Sequence, residues 1–240
     1  MENVLVDARN VKKDFRTGKV VVHALRGLDL TVHEGDFLSI VGPSGSGKTT
    51  LLNLIGALDV PTSGEVRVFG EDLSTLSRRK RANLRLKSLG FVFQAYNLVP
   101  VLTARENVEF VLELQGVGSE RREIAQAILE DLSLGELADR QPNELSGGQQ
   151  QRVAVARAVA PRPRLVLADE PTANLDSKNA EALLQMMRHL RDEHSMTFVF
   201  STHDPLVVSY AYRVVTLRDS TVVSDEQKNS VPDDGEPVGN

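Results

Sequence analysis

Short apolar runs punctuated by Gly, Pro and Asp alternate along the chain with longer segments of helical period, the pattern of an α/β protein. The runs 36–41 (DFLSIV), 165–168 (LVLA), 197–202 (TFVFST) and 213–217 (RVVTL) predict strands. Continuous, largely apolar runs like these suit a sheet covered on both faces. Two further segments, 28–32 (LDLTV) and 66–69 (VRVF), alternate apolar with polar residues. They predict a half-exposed antiparallel flank, which makes the sheet mixed.

Helical signals fill the middle of the chain. Thr103 with Glu106 fits a capping box that opens a helix over ARENVEFVLELQ, closing near Gly116. A second helix carries Ile124, Ile128 and Leu132 on one stripe, and the insert 95–143 reads as an all-helical subdomain. Ala182, Leu183, Met186, Met187 and Leu190 form a further apolar stripe, read as core packing. From Ser224 onward the chain turns polar, acidic and Pro-bearing, the composition of a mobile tail.

Composition narrows the class. With 240 residues the chain is long enough for one large domain or two small ones sharing a core, at roughly 100 to 200 residues each. Hydrophobic residues at 41% and charged residues at 25% are those of a globular protein, and exclude a mostly disordered, collagenous or coiled-coil chain. Lys and Arg number 28 against 33 Asp and Glu, a net charge of −5 that argues against nucleic-acid binding through overall charge. Cys is absent, which removes disulfides and thiolate chemistry and is compatible with a cytosolic setting. No run approaches the roughly 18 to 20 apolar residues of a membrane span, and the opening MENVLVDARNVKKDF lacks a signal-peptide core. The expectation is a protein that neither spans a membrane nor is exported.

Against that background GPSGSGKT, residues 42–49, follows the apolar strand ending at Val41 and matches a phosphate-binding loop. Gly42, Gly45 and Gly47 let backbone N–H groups turn inward around phosphates, with Pro43, Ser44 and Ser46 between them. The helix starting near Lys48 and running through Thr49 and Thr50 adds its positive dipole end. Lys48 is placed to reach the β and γ phosphates, and the Thr49 hydroxyl to bind Mg²⁺.

LVLADE, residues 165–170, ends an apolar strand in two carboxylates. In a nucleotide site Asp169 holds Mg²⁺, through water, while Glu170 orients and deprotonates the attacking water. In LSGGQ, residues 145–149, Ser146 with Gln149 makes a capping box. Ser146, Gly147 and Gly148 therefore form the entrance of a helix running to about Ala160, where Pro161 and Pro163 stop it. That is a second phosphate-binding helix end, with an evident use only if it serves another molecule's nucleotide.

Residues 42–49, Gln94 in GFVFQ, 145–149, 165–170, Asn174-Leu175-Asp176 and His203 together resemble, in order and spacing, an ABC transporter ATPase subunit. The resemblance covers residues 2–223. FQAYNLVPVLTARENVE and LADEPTANLDSKNAE look like the lipoprotein-release and macrolide-efflux branch, LolD/MacB-like. Ala173 departs from it, since that branch often has Gly there.

The resemblance implies a RecA-like P-loop NTPase core with a mixed sheet, an antiparallel β flank and an inserted α-helical subdomain. The core would comprise 1–94 and 160–223, the helical subdomain 95–159, and the tail 224–240. It further implies a head-to-tail dimer of two copies with two ATP sandwiched between the loop of one and the LSGGQ of the other. Gln94 would sense Mg²⁺ and the attacking water, Asp176 align the opposing site, and His203, otherwise a solvent-facing turn residue, bond the γ-phosphate. Phe15 matches the adenine-stacking aromatic, more often Tyr in the family. Integral membrane permease subunits would dock beside Gln94 on Ala95, Tyr96, Leu98, Val99 and Pro100, placing the chain peripherally at the cytoplasmic face of the membrane.

The basic cluster Arg78, Arg79, Lys80, Arg81, Arg85 and Lys87 reads as a solvated helical face or as a contact for an anionic leaflet or an acidic loop. His189 and His194, five apart on a helix, are assigned no metal. A cell-division-type regulatory ATPase is the alternative function. A DNA-maintenance ATPase is disfavoured, because the stretch from Lys48 to Ser146 is too short for long heptad arms.

Overall fold

The computed structural model describes residues 3–228, and two sheets organise it. The larger has six strands in the order β10-β9-β3-β8-β7-β6: β3 (Phe37–Val41), β6 (Leu89–Val92), β7 (Leu165–Asp169), β8 (Thr197–Thr202), β9 (Arg213–Arg218) and β10 (Thr221–Gln227). All its pairings are parallel except β9 with β10, so the sheet is mixed. The expected antiparallel flank is present as a separate sheet, ordered β2-β1-β4-β5. It comprises β1 (Val4–Thr17), β2 (Val20–His33), β4 (Ser63–Val68) and β5 (Glu71–Asp72).

Alternation along the central strands divides the core in two. Phe37, Val166, Ala168, Phe198 and Phe200 point into one buried cluster, and their neighbours Leu38, Leu165, Leu167 and Val199 into another. The first lies under α3 (Ala104–Leu114), α4 (Arg121–Asp131), α5 (Gly147–Val159), α6 (Ser177–His194) and α7 (Pro205–Tyr210). The second lies under α1 (Lys48–Ile55), α2 (Arg78–Ser88) and the antiparallel sheet. Both faces are covered, as continuous, largely apolar strands require. Phe37 and Phe200 meet edge to face with ring centroids 4.6 Å apart. Gly90 in β6 is a close approach: a Cβ there would lie 2.5 Å from the Ala158 carbonyl oxygen of α5.

Four helix starts follow sequence chemistry directly. Thr103 and Glu106 exchange both bonds of a capping box on α3, Ser146 and Gln149 do the same on α5, Asp176 caps α6 through the Asn179 N–H, and Asp204 caps α7. Segment 95–143 holds α3, α4 and two single 3-10 turns.

Three expectations are corrected. On α4 the buried face is Ala125, Leu129 and, at its C-terminal end, Leu132, while Ile124 is exposed and Ile128 only half-buried, because the face turned to the core shared with α3 and α5 is the one that carries Ala125 and Leu129. On α6 Leu184 replaces Ala182 and Met186 in the buried stripe. Ser224, expected to begin the tail, lies inside β10 with Asp225 to Gln227. That strand pairs with β9, and the Arg213 guanidinium bridges Asp225 at 2.6 Å and Asp36 at 3.1 Å. Arg213 is itself buried and so fixes the strand in place. Residues 229–240 of the expected tail lie outside the described residues.

Candidate active site

The loop after β3 is shaped by close backbone approach. A Cβ on Gly42 would lie 2.2 Å from the Leu217 carbonyl oxygen, and one on Gly47, at φ 100°, 2.6 Å from that of Ala24. Both positions therefore admit only glycine. Gly47 is the N-cap of α1 and supplies no side chain to the helix, so the first N–H groups of α1 open onto the loop. Lys48 is buried, its ammonium donating to the carbonyls of Gly42 at 2.7 Å and Pro43 at 3.2 Å. Ser46 Oγ is buried without a partner among the described residues, a polar group that a phosphate oxygen suits.

The ends of β7 and β8 carry the acid–base groups. Thr49 Oγ1 donates to Asp169 Oδ1 at 3.4 Å. Burial pushes the Asp169 carboxyl above its ordinary pKa, with the adjacent Glu170 charge adding to the rise and the Thr49 hydroxyl and Lys48 opposing it. Glu170 takes a left-handed backbone, φ 47°, and its N–H donates to the Ser201 carbonyl at 2.8 Å. That conformation is costly for a residue with a side chain and turns the carboxylate off the strand line. Oε1 lies 2.7 Å from His203 Nδ1, and Oε2 accepts from Thr202 Oγ1 at 3.2 Å.

A cavity of about 700 Å³ joins most of these groups. Phe15, Pro43, Ser44, Gly45, Gly47, Lys48, Thr49, Thr50, Gln94, Glu170 and His203 line it, all singled out by sequence. Val22, His23 and Ala24 line it too and were missed. The signal lay in hairpin register: Phe15 pairs with Val22, and Asp14 with His23, whose Nδ1 lies 2.8 Å from the Asp14 carboxylate. The Lys13 ammonium sits 5.1 Å from the Phe15 ring centroid.

Ser146, Gly147, Gly148, Gln149 and Asp176 do not line this cavity. They meet one another instead at the adjacent N-termini of α5 and α6, where a Cβ on Gly148 would touch the Asn179 side chain. Gln149 Oε1 accepts from the Ser146 N–H at 2.8 Å, and Asp176 accepts from the N–H and side-chain amide of Asn179. The backbone N–H of Asn179 holds the Asp176 carboxyl below its usual pKa. Asn174 donates to the Gln94 carbonyl at 2.9 Å, tying this second cluster to the cavity wall.

A separate apolar groove of about 480 Å³ runs between α2 and α3. Leu86, Phe91, Phe93, Val99, Phe110 and Val111 are among its lining residues. Of the expected docking residues only Val99 lines it. Tyr96 and Asn97 both take positive φ, 55° and 51°, which turns the segment, and the Tyr96 hydroxyl approaches Gly147 instead.

A phosphate-binding loop following a strand with parallel neighbours, with carboxylates on a nearby strand end, defines a P-loop nucleoside triphosphatase. The family model described as ABC transporter matches residues 25–173, and the chain belongs to that family as an ATP-binding, ATP-hydrolysing subunit. It is 46% identical over 222 residues to the lipoprotein-releasing system ATP-binding protein LolD of Anaeromyxobacter dehalogenans, covering 92% of this chain and 93% of that one. To the macrolide export ATP-binding/permease protein MacB of Syntrophobacter fumaroxidans it is 46% identical over 221 residues, covering 91% of this chain but only 31% of that protein. The dimeric post-hydrolysis structure of the ATP-binding cassette MJ0796 of Methanocaldococcus jannaschii, bound to ADP and Pi, superposes with a TM-score of 0.86 at 44% identity. That match covers 92% of this chain and 98% of that one.

Proposed function

We propose that this chain works as a head-to-tail dimer, each ATP held between the 42–49 loop of one copy and the Ser146-capped helix of its twin. The observation that carries the reading is that one chain offers two glycine-rich helix N-termini, at Gly47 and Ser146, of which only the first opens into its own cavity. The dimeric MJ0796 cassette supports it.

In this reading adenine stacks on Phe15, the N–H groups of Gly45 to Thr49 cradle the phosphates, and Lys48 offsets their charge. Glu170 takes a proton from water as the water oxygen bonds the γ-phosphorus and the bond to the β,γ-bridging oxygen breaks, leaving ADP and inorganic phosphate. His203 turns from Glu170 toward the γ-phosphate, and Asp176 aligns the partner's site. Thr49 and Asp169 offer a hydroxyl and a carboxylate, with the Gln94 amide at the cavity wall. This partial oxygen shell suits Mg²⁺ shared with phosphate and water. When bound, Mg²⁺ neutralises charge on the phosphates.

The division into an ATP-binding core, 1–94 and 160–223, and a helical subdomain, 95–159, belongs to the same reading. No helix among the described residues is long and apolar enough to cross a membrane. The apolar groove beside the Gln94 segment is where a permease subunit docks, which holds the chain at the cytoplasmic face of the membrane as part of an export or lipoprotein-release system like those that LolD and MacB are named for.

Mixing two inactive variants tests the shared site. Lys48→Ala and Ser146→Arg homodimers are each expected to lose turnover, whereas their heterodimer retains one intact site and regains measurable phosphate release. A mixture as inactive as its parents, or a fully active Ser146→Arg homodimer, overturns the reading.

A further inference from the structure

We propose that Thr202 is a positioning residue for Glu170: its hydroxyl fixes the carboxylate that receives the water proton. The inference rests on the reading of Glu170 as that base and assigns the group that aims it.

Thr202 ends β8 and is fully buried. Its Oγ1 accepts the Asp204 backbone N–H at 2.9 Å and lies 3.2 Å from Glu170 Oε2. An amide N–H can only donate, so the oxygen of Thr202 is the acceptor on that side, and its single proton is left for Glu170. The amide is itself immobilised. Asp204 Oδ2 accepts from the buried Thr172 hydroxyl at 2.7 Å, and Oδ1 accepts from Leu206 N–H at 2.9 Å, at the first turn of α7. Thr172 follows Glu170 by two residues, so the chain of bonds closes on the strand end that carries the base.

The two oxygens of Glu170 are therefore held differently. Oε1 faces His203, whose side chain is 73% exposed, and Oε2 faces a hydroxyl with no freedom to turn away. When His203 swings to the γ-phosphate it releases Oε1, and Thr202 is the restraint that remains. A carboxylate misaimed by even a fraction of an ångström loses rate without losing substrate.

The test compares Thr202→Val with Thr202→Ser in steady-state ATP hydrolysis, with ATP binding followed separately. Thr202→Val, of nearly the same shape but without the hydroxyl, is expected to lower kcat by about tenfold or more and to leave KM for ATP within about twofold, while Thr202→Ser recovers most of the rate. Wild-type kcat in Thr202→Val, a rise in KM that accounts for the loss, or a Ser variant as slow as Val each overturns the proposal. Should Thr202→Val fail to fold, Thr172→Val frees Asp204 while leaving the hydroxyl in place. It is expected to lower kcat at constant KM, and an unchanged kcat there counts against the proposal. Glu170→Gln is measured alongside. Turnover retained in it overturns the reading of Glu170, whereas turnover lost in it but intact in Thr202→Val overturns the role of Thr202 alone.

Discussion

His203 Nδ1 and Glu170 Oε1 lie 2.7 Å apart, yet the two side chains are unlike in setting: the imidazole is 73% exposed and the carboxylate 16%. The half-buried partner is fixed by a left-handed backbone and the Thr202 hydroxyl. Among the described residues the exposed partner is held by this one side-chain hydrogen bond, so it can exchange the carboxylate for a phosphate oxygen at little structural cost.

Glu170→Gln keeps the shape of the side chain and removes its basicity. Phosphate release is expected to slow by about 10²- to 10⁴-fold with ATP affinity preserved, and size-exclusion chromatography with ATP should show a persistent dimer. Unchanged turnover would show that the proton goes elsewhere.

Lys48 has three N–H donors, two of them on the carbonyls of Gly42 and Pro43, which leaves one for phosphate. Lys48→Ala should raise the Kd for ATP by about tenfold or more, a loss of at least about 1.4 kcal/mol, read by titration with a fluorescent nucleotide. Affinity equal to wild type would place the phosphates away from this loop.

The capping box of α3 gives stability a pH dependence. The Thr103 backbone N–H holds the Glu106 carboxyl below its ordinary value of 4.5, so the ionised form favours the fold. That contribution is complete above about 4.5 and disappears as pH falls through the lowered value. Glu106→Gln should therefore be less stable than wild type in urea at pH 7, and the gap should close below about pH 4.5. A gap independent of pH would mean that the charge contributes nothing.

Gly90→Ala tests the seam between β6 and α5. Its Cβ would meet the Ala158 carbonyl oxygen, a backbone atom of α5, at 2.5 Å, so the neighbour does not yield cheaply. A loss of about 1–3 kcal/mol in unfolding free energy is expected from chemical denaturation. A neutral change would mean that α5 can shift away from the sheet.

The contiguous parts of the site were legible because a short run of residues encodes both the turn and its chemistry. The 42–49 loop, the Asp169-Glu170 pair and the caps at Thr103 and Ser146 each need only neighbours in sequence. What escaped depends on distant partners. His23 and Val22 reach the cavity only through the register of β1 with β2. β10 is polar in pattern and exists because β9 offers an edge and Arg213 an ion pair. The face of α4 is hidden in the sequence because its core side carries the small Ala125, while the larger Ile124 faces solvent.

The stretch from Gln94 to Asn97 is fastened twice. Asn174 grips the carbonyl of Gln94 from one direction, and Arg157, a residue of α5, grips those of Tyr96 and Asn97 from the other. Gln94 borders the large cavity and Asn97 the apolar groove, so three peptide units connect the two compartments. With both ends pinned, this short span leaves little slack chain between the wall of one compartment and the lining of the other.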